Sequence, residues 1–134
     1  EKRESRIYNL LLASIAAISL IVGGIGIMNI MLASVLERTQ EIGIRRAIGG
    51  KRSDIMSQFV TEAMAMSITG GLIGVILGIM ISLGIGLLTS VKTNLTLYSI
   101  FIAFGFSVIV GITFGYLPAK RAAELKPIES IRHE

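Results

Sequence analysis

An all-α integral membrane fold with three transmembrane helices is predicted by three observations. Stretches free of Asp, Glu, Lys and Arg run from Ile7 to Leu36, from Ala63 to Val91 and from Thr93 to Ala119. Each exceeds the roughly 20 residues a helix needs to cross a ~30 Å hydrocarbon core. Composition agrees: 52% of residues are hydrophobic, the mean hydropathy is +0.74 and 16% are charged, where a soluble domain carries about 25%. Finally, the charges lie between these stretches rather than within them. In lipid only a helix or a closed barrel satisfies its own backbone, and runs this long and unbroken do not fit barrel strands. A short cytoplasmic helix after the first span and an amphipathic helix at the C-terminus complete the predicted fold.

Several chemistries are excluded early. There is no cysteine, which removes disulfides and thiolate metal sites. The single histidine, His133, is penultimate, and no Cys, His and carboxylate cluster has metal-ligand spacing, so neither a metal nor a bound cofactor is expected. The pI near 9.8 is explained by basic residues flanking membrane spans better than by nucleic acid. No signal-peptide cleavage pattern is visible. The opening Glu1-Lys2-Arg3-Glu4-Ser5-Arg6 reads as the interior of a longer protein.

The basic residues fix an expected orientation. Lys2, Arg3, Arg6 and Lys92 fall on one side of three spans. Arg38, Arg45, Arg46, Lys51, Arg52, Lys120, Arg121, Lys126 and Arg132 fall on the other. Nine against four places the second group in the cytoplasm, the N-terminus outside and the C-terminus inside. Expected boundaries are about 7–36, 63–90 and 96–117 for the spans, 37–53 for the cytoplasmic connection and 118–134 for the tail. The 89–96 connection is then a short external loop.

The first span is about 30 residues, or ~45 Å of helix, and so begins as an external stalk. Along it Ala16, Ser19, Gly23, Gly26, Ile30 and Ala33 form a seam of mostly small residues. The second span repeats Gly70, Gly74, Gly78, Ser82 and Gly86, and the third Ala103, Ser107, Gly111, Gly115 and Ala119. Small residues every fourth position let helices approach closely in lipid, where packing drives association. The pattern leaves open whether the contacts lie within one chain or between two, and whether the first seam merely reflects common membrane residues. No ionisable residue sits at the centre of a span, which argues against a proton relay. Asn29 is read as a hydrogen-bonding group between helices rather than a ligand.

The connection Glu37-Arg38-Thr39-Gln40-Glu41-Ile42-Gly43-Ile44-Arg45-Arg46-Ala47-Ile48 is charged yet keeps regular isoleucines. Glu41 and Arg45 are four apart in the favourable helical order, and Ile44 and Ile48 share a neighbouring face. Gly49-Gly50 ends this helix. Ser53 is expected to cap the next, with Asp54 in its first turn. That helix is expected to run along the membrane surface before becoming the second span. Glu62, at the transition, is read as an interface carboxylate paired with Arg52 or a neighbour. After the third span, Pro118 and Pro127 bracket a short basic helix suited to the lipid surface or a soluble partner. Gly49-Gly50-Lys51-Arg52-Ser53 lacks both the first glycine of a phosphate loop (Arg45 stands there) and the hydroxyl after its lysine (Arg52 stands there). No catalytic set is visible, so the chain is not expected to be an enzyme.

Gly23-Gly24-Ile25-Gly26-Ile27-Met28-Asn29-Ile30-Met31-Leu32, followed by Glu37 to Gly49, resembles the MacB-type permeases of ABC transporters, which group with FtsX-like and LolC/LolE-like permeases. Gln58-Phe59-Val60-Thr61-Glu62-Ala63 and Pro118-Ala119-Lys120-Arg121-Ala122-Ala123 resemble the same family. The resemblance covers nearly the whole chain. It implies the last three of four permease helices, in a dimer of the bacterial cytoplasmic (inner) membrane, possessing a large external domain between the first two helices. It also implies that the segment bearing Glu37, Arg38, Glu41, Ile44, Arg45, Arg46 and Ile48 couples to a cytoplasmic ABC ATPase subunit or domain, which alone binds ATP and Mg. A membrane-fusion or adaptor protein is a further implied partner. Drugs, peptides or lipoproteins are the implied cargo. Two other readings are an FtsX-like regulator that activates a cell-wall hydrolase and a small stand-alone oligomerising membrane protein.

The charge division predicts a labelling pattern. In intact cells a cysteine introduced at Asn94 reacts with an impermeant maleimide, and one at Ser53 reacts only after permeabilisation; the reverse pattern inverts the orientation.

Overall fold

The computed structural model describes residues 1–125 of the 134-residue chain. They form four helices: α1 (Lys2–Glu37), α2 (Thr39–Ala47), α3 (Arg52–Leu88) and α4 (Leu97–Ala123). No strand occurs among the described residues. Three of the helices, α1, α3 and α4, are long and apolar enough to cross a membrane. Their 36, 37 and 27 residues correspond to about 54, 56 and 40 Å. Against a ~30 Å core, α1 and α3 overshoot the hydrocarbon by about 25 Å.

The middle helix is α4. It packs on α3 and on α1, while α1 and α3 barely meet. The buried core lies at one end, where α1 finishes, α2 crosses, α3 starts and α4 finishes. It holds Met31 and Val35 of α1, Ile42 of α2, Ile55, Phe59 and Ala63 of α3, and Ala119, Ala122 and Ala123 of α4. The same end carries Arg38, Arg45, Arg46, Lys51, Arg52, Lys120 and Arg121, so the basic group that the sequence assigned to one side is gathered in space.

Two ridges with a four-residue repeat hold α3 against α4. Gly115 faces Ala63, Gly111 faces Ser67, and Gly71 faces Phe104 and Ser107. Each step of four back along α4 thus meets a step of four forward along α3, as antiparallel helices require. The α4 ridge is the one read from the sequence. On α3 the contact ridge is Ile55, Phe59, Ala63, Ser67 and Gly71, one residue over from the glycine ridge the sequence suggested. On α1 the inner face is Gly24, Met31 and Val35, with Phe114 lying over Gly24. The space at Gly23, Gly26, Gly70, Gly74 and Gly78 is open. Gly23 and Gly70 line a crevice of about 930 Å³ between α1, α3 and α4. Gly70, Gly74 and Gly78 border a second groove, of about 410 Å³. The offset follows from the gradient along α3. Large apolar residues are buried at the polar end, where water makes burial favourable. Small ones follow deeper in the span, where close packing is what holds helices together.

Three local expectations change. α3 is one uninterrupted helix from Arg52 to Leu88, so its first turns continue the axis of the span rather than lying along the membrane surface. Pro118 does not start a separate helix. It is fully buried inside α4, which runs on to Ala123; only the Phe114 carbonyl loses its amide partner. The basic pair Lys120 and Arg121 is therefore the last turn of α4. The rest of the expected amphipathic tail, with Lys126, Pro127, Arg132 and His133, lies outside the described residues. Asn29 is exposed and makes no side-chain hydrogen bond among the described residues, so it bridges none of the four described helices.

At the α3–α4 contact, Gly115→Ala would drive a methyl into that of Ala63 and cost about 1–3 kcal/mol by overpacking. Gly78→Ala, with nothing near, gains the helix preference of alanine. Thermal unfolding of the detergent-solubilised protein is expected to show a lowered midpoint for the first and none for the second.

Candidate coupling site

The site is α2 with its two flanking turns. Arg38 (φ −104°, ψ 13°) leaves the helical region and separates α1 from α2. The Thr39 hydroxyl lies 2.9 Å from the Val35 carbonyl and 3.0 Å from that of Leu36, acceptors left over at the end of α1. At the other end the Gly50 amide donates to the Arg45 carbonyl (2.8 Å) and the Gly49 amide to that of Arg46 (3.3 Å), the paired bonds of a Schellman stop. Gly49 has φ 102°, a conformation that disfavours any side chain. A Cβ on Gly50 would collide with the Arg45 carbonyl. The following cap differs from the sequence expectation. α3 begins at Arg52, and the Asp54 carboxylate accepts the Lys51 amide at 3.2 Å; Ser53 is already inside the first turn.

A circuit of polar contacts ties α2 to α3. Glu62 accepts from Arg38 at 2.8 Å. Arg38 also approaches Glu41 at 3.6 Å, and Glu41 pairs with Arg45 at 2.7 Å. Arg45 donates to the side-chain carbonyl of Gln58, one helical turn before Glu62. The guanidinium of Arg38 also lies 5.3 Å from the ring centroid of buried Phe59, within cation–π range. The Glu62 hydrogen bond, reinforced by the charges of Glu62 and Glu41, outweighs partial burial and holds the Arg38 pKa above its ordinary value. Arg38 is therefore a permanent cation, and no pH switch is built on it. Beneath the circuit, Ile42 and Gly43 are buried and seat α2 on the core. Arg46 reaches the Gly50 carbonyl at 3.4 Å, while its Nε has no partner among the described residues.

This arrangement sorts the predicted coupling residues into two groups. Arg38 and Arg46 are half-buried, and Arg38 works inward. Glu37, Glu41, Ile44, Arg45 and Ile48 are exposed on the outer side, with Glu41 and Arg45 also serving the circuit. Ile44 is 49% and Ile48 81% exposed, so neither is buried against α3, although Ile48 borders a surface hollow with Asp54, Ile55 and Gln58 of α3. Sequence reasoning missed the inward role of Ile42 and the pairing of Glu62 with Arg38 rather than Arg52. The i, i+4 spacing of Gln58 and Glu62 was the available signal, since it presents two polar groups to one neighbour.

A family model described as FtsX-like permease C-terminal matches residues 13–127. The chain belongs to the FtsX-like permease family. Among similar proteins, the macrolide export ATP-binding/permease protein MacB of Bdellovibrio bacteriovorus is 53% identical over 97% of this chain and 20% of its own length. MacB 2 of Aeromonas hydrophila is 52% identical over 93% of this chain and 20% of its own. The pyoverdine export ATP-binding/permease protein PvdT of Pseudomonas syringae pv. syringae is 49% identical over all of this chain and 20% of its own. This FtsX-like permease chain thus spans about a fifth of the length of the curated relatives it matches. Family membership and the three apolar helices make it a multi-pass membrane protein.

The circuit predicts a measurable coupling. Arg38→Gln and Glu62→Gln each lower thermal stability, and the double variant loses less than the two together. A double-mutant cycle yields about 1 kcal/mol; a value of zero removes the ion pair as a clamp.

Proposed function

We propose that this chain is the C-terminal membrane part of an ABC exporter permease, and that α2 passes ATP-driven motion into the helices. The observation that carries the reading is the outer face of α2. Two large apolar side chains, Ile44 and Ile48, stand exposed among charges on a helix whose inner side is clamped. Exposed apolar anchors ringed by charge suit a helix laid into a groove of a partner, with the charges setting register. The partner is a cytoplasmic ATP-binding subunit or domain that holds ATP and Mg. That role needs the basic end to face the cytoplasm, as the positive-inside count favours. A second permease copy, on the open glycine faces, and an adaptor protein complete the proposed assembly. Drugs, peptides or lipoproteins are the proposed cargo.

Mechanically, α2 is joined to α3 by the circuit, to α1 through Arg38 and to α4 through the shared core. A push on α2 is therefore delivered to all three long helices together. The overshooting part of α1 at its N-terminal end then acts as a lever toward whatever precedes it. The regulator alternative uses the same mechanics, but relatives near 50% identity are named as exporters, which favours export.

Ile44→Asp and Ile48→Asp are expected to insert normally, yet to weaken partner binding by about 2 kcal/mol, as loss of a buried anchor commonly does, or to uncouple ATP hydrolysis from export. Partner co-purification and ATPase rate in reconstituted membranes are the readouts. Normal insertion with wild-type partner retention and export in both variants refutes the docking surface.

A further inference from the structure

A hollow of about 280 Å³ opens between the last turns of α1 and α4, bounded by Met28 and Leu32 on one side and Leu117, Pro118, Lys120, Arg121 and Glu124 on the other. None of the coupling residues borders it, nor do Gln58 and Glu62 of the circuit. On α4, Leu117, Lys120, Arg121 and Glu124 are exposed and follow one helical face. The lining therefore changes from apolar to basic along the helix axis.

The depth of this change is set by two tyrosines. Tyr98 and Tyr116 are both exposed on α4. Their separation of 18 residues spans about 27 Å of helix, close to the thickness of the hydrocarbon core. Tyrosines gather at the two membrane–water interfaces, so Tyr116 marks one of them. Leu117 and Pro118 then lie at the hydrocarbon boundary, and Lys120 and Arg121 one turn further out, at head-group level. No carboxylate among the described residues lies within ion-pair distance of either cation. Glu124 sits a turn beyond and leaves the rim with a net positive charge.

We propose that this hollow is a binding site for one phospholipid with an anionic head group. The phosphate sits beside Lys120 and Arg121, and the upper part of an acyl chain lies along Met28, Leu32 and Leu117. Basic pockets between membrane helices suit this class of ligand. The volume is at the small end for ligand sites, which fits a head group and its first methylenes rather than an enclosed drug-sized molecule. The bound lipid would bridge α1 and α4 where no polar contact between them occurs among the described residues. This inference rests on the helices being membrane spans and is independent of the coupling surface and of orientation.

Native mass spectrometry of the full-length protein, titrated with phosphatidylglycerol or phosphatidylcholine of matched chains, tests it. Selective retention of phosphatidylglycerol is expected. Lys120→Gln with Arg121→Gln lowers its affinity about 30-fold, the combined effect of two interfacial cations, while Lys51→Gln with Arg52→Gln leaves it within threefold. Leu32→Trp, which keeps the charges and fills the hollow, also displaces the lipid. Equal retention of the two lipids, persistence of phosphatidylglycerol binding in either hollow variant, or equal loss in the Lys51/Arg52 variant overturns the site. In a third titration, with phosphatidylethanolamine of the same chains, retention equal to that of phosphatidylglycerol overturns the anionic preference.

Discussion

The close approach of α3 and α4 is the constraint on which the rest of the molecule depends. Gly111 and Gly115 leave no side chain between the helices, so Ser67 and Ala63 come up against bare α4 backbone. This brings the end of α4 far enough in that Ala119, Ala122 and Ala123 can close over Ile55 and Phe59. The closed surface is the floor on which α1 lays Met31 and Val35 and α2 lays Ile42. Widening the helix pair by one methyl would strain that floor, and the strain would reach the seat of α2 although no residue of α2 had changed.

Two different forces act along the same helices. At the polar end water is near, and burial of Phe59, Met31 and Ile55 is favourable for the usual solvent reason. Deeper in the spans lipid offers the same apolar surroundings as another helix, so only close packing distinguishes association from separation. The chain meets both demands on one ridge of α3, graded from isoleucine and phenylalanine to serine and glycine. The result is a bundle whose large buried side chains gather at one end, while a crevice of about 930 Å³ runs between α1 and the α3–α4 pair along the middle of the helices.

The polar circuit adds direction to that build. Each of its bonds is partly exposed and worth little alone, but both ends of the chain of contacts finish on α3, at Gln58 and Glu62. Rotation of α2 about its own axis would break the circuit and lift Ile42 from the core. Ile44 and Ile48 are thereby held outward, which turns two apolar residues from a solubility cost into a surface of fixed geometry.

Much of this was legible in the residues themselves. Charge-free runs, basic clusters and the Gly49-Gly50 stop each report a local physical requirement: lipid solubility, head-group attraction and positive φ. They determined the number of spans, the gathering of basic residues at one end and the existence of α2, and the α4 ridge followed from its own repeat. The choice among competing faces was not local. Gly70 and Gly71, or Gly23 and Gly24, differ by 100° of helix rotation, and only the shape of α4 with Phe104 and Phe114 selects the second of each pair. Pro118 likewise reads as a helix end until the surrounding alanines bury it, and Glu62 finds Arg38 rather than Arg52 because α2 is folded back across α3. The sequence by itself determined which segments are helices and which solvent each one meets. Only the tertiary structure decided which side of each helix is inside, because that depends on side chains contributed by its neighbours.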